Sequence, residues 1–69
     1  MAELVAITLN GERRNVPRGS VGDLIRSLDR DPRAVAIEHN GAILPRDRYD
    51  ATVLTAGDRL EIVHFVQGG

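Results

Sequence analysis

Residues 4–17 read Leu-Val-Ala-Ile-Thr-Leu-Asn-Gly-Glu-Arg-Arg-Asn-Val-Pro, and their pattern decides the fold class. Two strand-like stretches, Leu4 to Leu9 and Glu12 to Val16, flank Asn10-Gly11. That dipeptide supplies the two positive φ angles of a type I′ hairpin turn. Pairing across the turn sets Val5 opposite Val16 and Ile7 opposite Arg14. Val5, Ile7 and Val16 then share the core face, with Arg14 curling to its edge. Pro17 ends the second strand, because it has no N–H to donate to a ladder.

Working outward, Ser20 is the expected N-cap of a short helix, with Asp23 three residues on as a shorter form of the capping box. Val21, Leu24, Ile25 and Leu28 fall at i, i+3, i+4 and i+7 and form one apolar stripe. Gly22 in the first turn weakens the helix, and Asp31-Pro32 is expected to stop it. A second hairpin follows: Val35 to His39, the turn Asn40-Gly41, and Ala42 to Leu44, closed by Pro45. Val35, Ile37 and Leu44 share one face; Ala36 and Ile43 point to the other. Arg46 to Thr55 is polar and irregular, with Tyr49 and Leu54 as its anchors. Ala56-Gly57-Asp58 is a turn into the last strand, Arg59 to Val66. There Leu60 and Ile62 take the core face, while Val63 and Phe65 fall on the opposite one. Hairpin, helix, hairpin, loop and strand make an α+β domain with one helix covering one side of a mixed sheet, the β-grasp arrangement. Pattern alone leaves the strand order open.

Sixty-nine residues form one domain, near the lower limit at which an apolar core holds a fold unaided. There are no cysteines, so neither disulfides nor thiolate metal sites contribute. His39 and His64 are the only histidines, too few for a metal cage, and both read as strand-surface residues. A net charge of −1 gives no electrostatic reason to bind nucleic acid. Tyr49 and Phe65 are the only aromatics, so platforms for stacking bases are missing as well. No apolar run reaches the length of a membrane span or a signal peptide, and cytoplasmic residence is the expectation. All nine basic residues are arginine, so no side-chain amine is available to attack an activated carboxyl group on a neighbouring copy.

The catalytic inventory is thin. Neither histidine has a nucleophile nearby in sequence, Ser20 serves as a cap, and the carboxylates are spread evenly. Asn10-Gly11 and Asn40-Gly41 are turn chemistry, and no phosphate-loop or dinucleotide pattern occurs. What remains is Gln67-Gly68-Gly69, which directly follows the last strand. Glycines without Cβ atoms thread a narrow channel in whatever backbone geometry a partner demands. A tail of Val66 to Gly69 reaches on the order of 14 Å beyond the sheet. A carboxylate is a poor electrophile; as an acyl-adenylate it acquires a good leaving group, which a sulfur nucleophile can displace. The product, a thiocarboxylate, is a better nucleophile than the carboxylate it replaces.

The stretch Ala34 to Gly69 resembles, in order and spacing, the ThiS family of sulfur carriers of thiamine thiazole synthesis. Val35 to Gly41 is similar to their third strand and turn. Leu44-Pro45-Arg46 resembles their apolar-Pro-Arg element, with Tyr49 where a tryptophan is usual. Gly57-Asp58, Leu60 to Val63 and Gly68-Gly69 complete the pattern. Residues 1–33 match in layout. Gln67 stands where a third glycine is common, and His39 where an apolar residue is common.

The resemblance implies a ubiquitin-like β-grasp of about five strands and one helix over residues 1–69, with 67–69 as an exposed tail. It implies a protein co-substrate and not an enzyme, adenylated and then thiocarboxylated at Gly69. It implies no bound cofactor, with ATP and magnesium serving the activating partner. The implied partners are a ThiF-type E1-like adenylyltransferase, a ThiG-type thiazole synthase and a cysteine desulfurase or similar sulfur donor, and the chain is expected to be a monomer when free. The outer sheet face bearing Ile43, Val63 and Phe65 is the expected docking surface. Three other readings compete. One is the small subunit of molybdopterin synthase, another a carrier for cysteine or tRNA thiolation, and the third a ubiquitin-like interaction module with an inert tail.

Overall fold

Both Asn-Gly turns adopt the backbone that their sequence requires. Asn10 and Gly11 have φ of 49° and 83°, and Asn40 and Gly41 have 53° and 88°, in the computed structural model, which describes residues 3–64. The turns join β1 (Leu4–Leu9) to β2 (Glu12–Pro17), and β3 (Val35–His39) to β4 (Ala42–Leu44). Pairing follows the expected register, with Val5 opposite Val16 and Ile7 opposite Arg14. In the second hairpin Ile37 faces Leu44 and Glu38 faces Ile43.

The last strand, β5 (Arg59–His64), enters between the hairpins, giving the order β2-β1-β5-β3-β4. It runs parallel to β1 and antiparallel to β3, so the sheet is mixed. Alternation along β5 holds: Leu60 is buried and Ile62 half-buried against the core, whereas Val63 is exposed. Val66, expected in this strand, and Phe65 lie outside the described residues.

The only α-helix among the described residues, α1 (Val21–Ser27), packs one stripe on the sheet. Ser20 Oγ accepts from the Asp23 N–H at 3.0 Å, and the Ser20 N–H donates to Asp23 Oδ2 at 3.1 Å, so the box closes reciprocally. Two further N–H groups of the first turn are taken up by the loop that follows β4. Val21 donates to the Thr52 carbonyl and Gly22 to that of Tyr49. Gly22 is therefore more than a weak point. A Cβ there would sit 2.0 Å from Asp50 Oδ1, which Arg26 holds by a 2.7 Å ion pair.

The helix ends earlier than expected. Asp31-Pro32 is not its stop: Asp29 turns the chain with φ of 60°, its N–H donating to the Arg26 carbonyl and that of Arg30 to Ile25. This is a Schellman ending with aspartate where glycine is usual. Pro32 instead opens a short 3₁₀ turn, Pro32–Ala34, which leads into β3.

The core comprises Ile7, Leu9 and Val16 from the first hairpin, Val21, Leu24 and Ile25 from the helix, Val35 and Ile37 from β3, and Leu60 from β5. Tyr49 and Leu54 anchor the long loop, as expected, and the Tyr49 hydroxyl donates to the Val35 carbonyl. Among the described residues no helix is long and apolar enough to cross a membrane.

Candidate functional site

Everything the sequence singles out for chemistry lies on or beyond β5, so the restraints on β5 decide how the site is presented. Five come from the two Asn-Gly turns beside it, the first being the Asn10 N–H, which donates to the Leu60 carbonyl at 2.9 Å. Asn10 Oδ1 accepts from the Ile62 N–H at 2.7 Å, and Asn10 Nδ2 reaches the Ile62 carbonyl at 3.4 Å. Where β1 turns away, the Asn10 side chain continues its pairing. On the other side, Asn40 Oδ1 accepts from the Arg59 N–H at 2.8 Å, and the Arg59 carbonyl accepts from the Asn40 N–H. The two turn asparagines thus do double work: their backbones make the hairpins, and their side chains grip the strand between them.

The start of β5 is fixed by Asp58, which is buried, with 6% of its surface exposed. One carboxyl oxygen accepts from the Thr55 N–H (2.9 Å) and from His39 Nε2 (3.1 Å). The other accepts from the Thr55 hydroxyl (2.9 Å) and Asn40 Nδ2 (3.2 Å). Burial by itself pushes this carboxyl up. The hydrogen bonds from the Thr55 backbone, His39, Asn40 and the Thr55 hydroxyl outweigh it and hold the pKa down to about 2. His39 is correspondingly not a plain surface residue. Its ring is half-buried and spent on Asp58, which gives a polar side chain a structural role at a position read as strand surface.

A carboxyl with a depressed folded pKa contributes its full stabilisation only where it is ionised in both states. The contribution of Asp58 is thus complete above its unfolded value near 4 and is lost as pH falls toward 2. We expect about 2 kcal/mol of unfolding free energy to disappear over that window through this one group. Urea melts at pH 5 and pH 2 check it. The difference should shrink by that amount in Asp58→Asn, while the exposed and likewise depressed Asp23 and Asp31 continue to contribute in both proteins.

The helix covers the inner face of the sheet and leaves the outer one open. There Ile43 is 71% exposed and Val63 57%. They do not touch as neighbours: Ile43 stands beside Glu38, and Val63 beside Ala36, in adjacent rows two strands apart. Ala36 and Glu38 lie between these two exposed aliphatic side chains. The third residue expected on the docking face, Phe65, and the tail residues Val66, Gln67, Gly68 and Gly69 lie outside the described residues. Asn10, Asn40, Thr55 and Asp58 were not singled out for this role by the sequence. The signal available for the two asparagines was that a turn asparagine has a side chain able to reach a neighbouring backbone.

The arrangement is thus a braced terminal strand with an open outer face, and it has well-defined relatives. The sequence profile of the ThiS family matches residues 7–69. The crystal structure of a thiamine biosynthesis protein, ThiS, from Geobacter metallireducens superposes with a TM-score of 0.78 at 32% identity, covering 94% of this chain and 100% of that one. The sulfur carrier protein ThiS of Bacillus subtilis is 39% identical over 51 residues, 74% of this chain and 77% of the relative. A thiazole synthase of Magnetococcus marinus is 42% identical over 64 residues, which are 91% of this chain but 20% of that protein. The chain thus spans about a fifth of the thiazole synthase it matches. With the profile covering nearly its whole length and the same fold in a relative of similar size, this chain belongs to the ThiS family.

Proposed function

We propose that this chain is a sulfur carrier of thiamine biosynthesis that delivers sulfur to the thiazole moiety from a thiocarboxylate on Gly69. The observation that carries this reading is the family match over residues 7–69, which runs through Gly68 and Gly69. An E1-like partner of the ThiF type uses ATP and magnesium to convert the carboxylate to an acyl-adenylate, releasing pyrophosphate. A sulfur nucleophile provided by a cysteine desulfurase or similar donor then attacks the acyl carbon. The C–S bond forms as the C–O bond to AMP breaks; where the nucleophile is a persulfide, a thiol then cleaves the S–S bond of the resulting acyl disulfide, is itself oxidised to a disulfide, and releases the thiocarboxylate. A thiazole synthase of the ThiG type consumes the thiocarboxylate. The chain supplies the handle and the recognition surface, and its partners supply the catalysis.

The side chains proposed for docking are Ile43 and Val63, with Phe65 next in the alternation of the strand. Exposed aliphatic groups on an otherwise uncovered sheet face are what a partner protein can bury. Val66, Gln67 and Gly68 carry the acyl group to the partner's site.

Incubated with ATP, magnesium, its adenylyltransferase and a sulfur donor, the protein should gain the mass of one oxygen-to-sulfur exchange. Fragmentation should place that mass on Gly69. Sulfur on any other residue, or no mass change with a partner shown to be active, removes the reading.

A further inference from the structure

The outer face is not only apolar. Glu38 on β3 and Glu61 on β5 stand directly opposite each other in the antiparallel register, with Ile43 completing the row on β4. Like charges in that relation destabilise a sheet. Most other carboxylates of the described residues have a cation at hand: Glu3 has Arg18, Glu12 has Arg14, Asp23 and Asp50 share Arg26, and Asp31 has Arg33. Glu38 and Glu61 are in no such pair within 4.0 Å among the described residues. Arg59 lies on the same face and, with Gly41 and the two glutamates, lines a shallow depression of about 250 Å³. Its guanidinium forms no ion pair with either. The fold thus keeps two exposed carboxylates side by side, between Ile43 and Val63, with room above them.

We propose that the Glu38–Glu61 pair is the charged half of the docking face, and that it receives an arginine or lysine side chain of the thiazole synthase while Ile43 and Val63 are buried around it. Charge complementarity selects the chemistry: two carboxylates at one inter-strand spacing suit a guanidinium, which can donate to both. The choice of thiazole synthase rests on the carrier reading above. It also rests on proteins of that name which include a stretch similar to this chain, so that carrier-like and synthase surfaces share one polypeptide. The unfavourable pair is then tolerated in the free protein because binding relieves it.

Three readouts on the intact chain and on Glu38→Gln/Glu61→Gln test this: thermal melting, mass spectrometry after sulfur loading, and calorimetric titration with the thiazole synthase and with the adenylyltransferase at two salt concentrations. Removing the repulsion should raise the Tm by about 1–8 °C. The same change should weaken binding to the synthase by at least about tenfold, and the salt sensitivity of the parent's affinity should be largely lost in the variant. If the double substitution disturbs the fold, Glu61→Gln alone gives the same comparison. Unchanged affinity for the synthase, a parent that does not bind it, or a loss confined to the adenylyltransferase overturns the proposal. A parent that binds the synthase through these glutamates yet gains no sulfur at Gly69 leaves the docking inference standing and removes the carrier reading instead.

Discussion

Removal of Gly68 and Gly69 should abolish sulfur loading altogether while leaving the melting temperature of the domain within about a degree. The two halves of this expectation come from different parts of the molecule. Loading depends on a carboxyl group that a partner can reach and on glycines that fit its channel. No side chain elsewhere offers a replacement: shortening the chain leaves a carboxyl group on Gln67, whose Cβ and amide the channel would have to admit. Stability depends on the core of Ile7, Leu9, Val16, Val21, Leu24, Ile25, Val35, Ile37 and Leu60, with Tyr49 and Leu54, all upstream of the deletion. Mass spectrometry of the loaded product and a thermal melt on the same preparation provide the check. Retained loading would show that the glycines are dispensable and would undo the carrier reading. A fall of several degrees would show that the fold leans on them.

Much of this architecture is legible in the chain because its local signals agree with one another. Asn10-Gly11 and Asn40-Gly41 each specify both a turn and, through the two-residue loop, the register of the strands around it. Ser20 and Asp23 mark the helix start with side chains that need only local geometry to meet. The exposed Val63 and the buried Leu60 follow from a period of two, which survives wherever one face is covered.

What stays illegible depends on contacts between residues far apart in sequence. The parallel pairing of β1 with β5 joins Thr8 to Arg59, and no pattern within either segment announces it. Asp58 looks like an ordinary turn residue, yet its four hydrogen bonds need His39 and Asn40 from another hairpin. Asp31-Pro32 reads as the helix stop because proline is the louder signal. The left-handed residue is Asp29, and aspartate adopts that backbone too seldom to be read as a stop. Gly22 reads only as weakening the helix for a similar reason: the Asp50 carboxylate that occupies the space of its missing Cβ comes from a loop 28 residues further on.

Leu24→Ala should produce the largest loss of stability, about 2–5 kcal/mol. The side chain is 4% exposed and lies on a helix of seven residues, which provides the inner cover of the sheet. A helix this short has little stability of its own, so its place depends on the stripe it buries. Cutting Leu24 back removes the transfer free energy of its methyl-bearing carbons and leaves a cavity beside Ile25 and Val21, which are completely buried and have little room to collapse. A domain of this size has a total stability on the order of 3–10 kcal/mol, so a loss of that size takes much of the whole. The Tm should fall by at least about 8 °C. Leu4→Ala is the matched control: the same atoms are deleted from a residue 63% exposed, and the change should stay within about 0.5 kcal/mol. Urea denaturation of both variants beside the parent decides the matter. A Leu24→Ala protein within 1 kcal/mol of the parent would mean that the sheet and the Tyr49–Leu54 loop hold the domain together without the helix stripe.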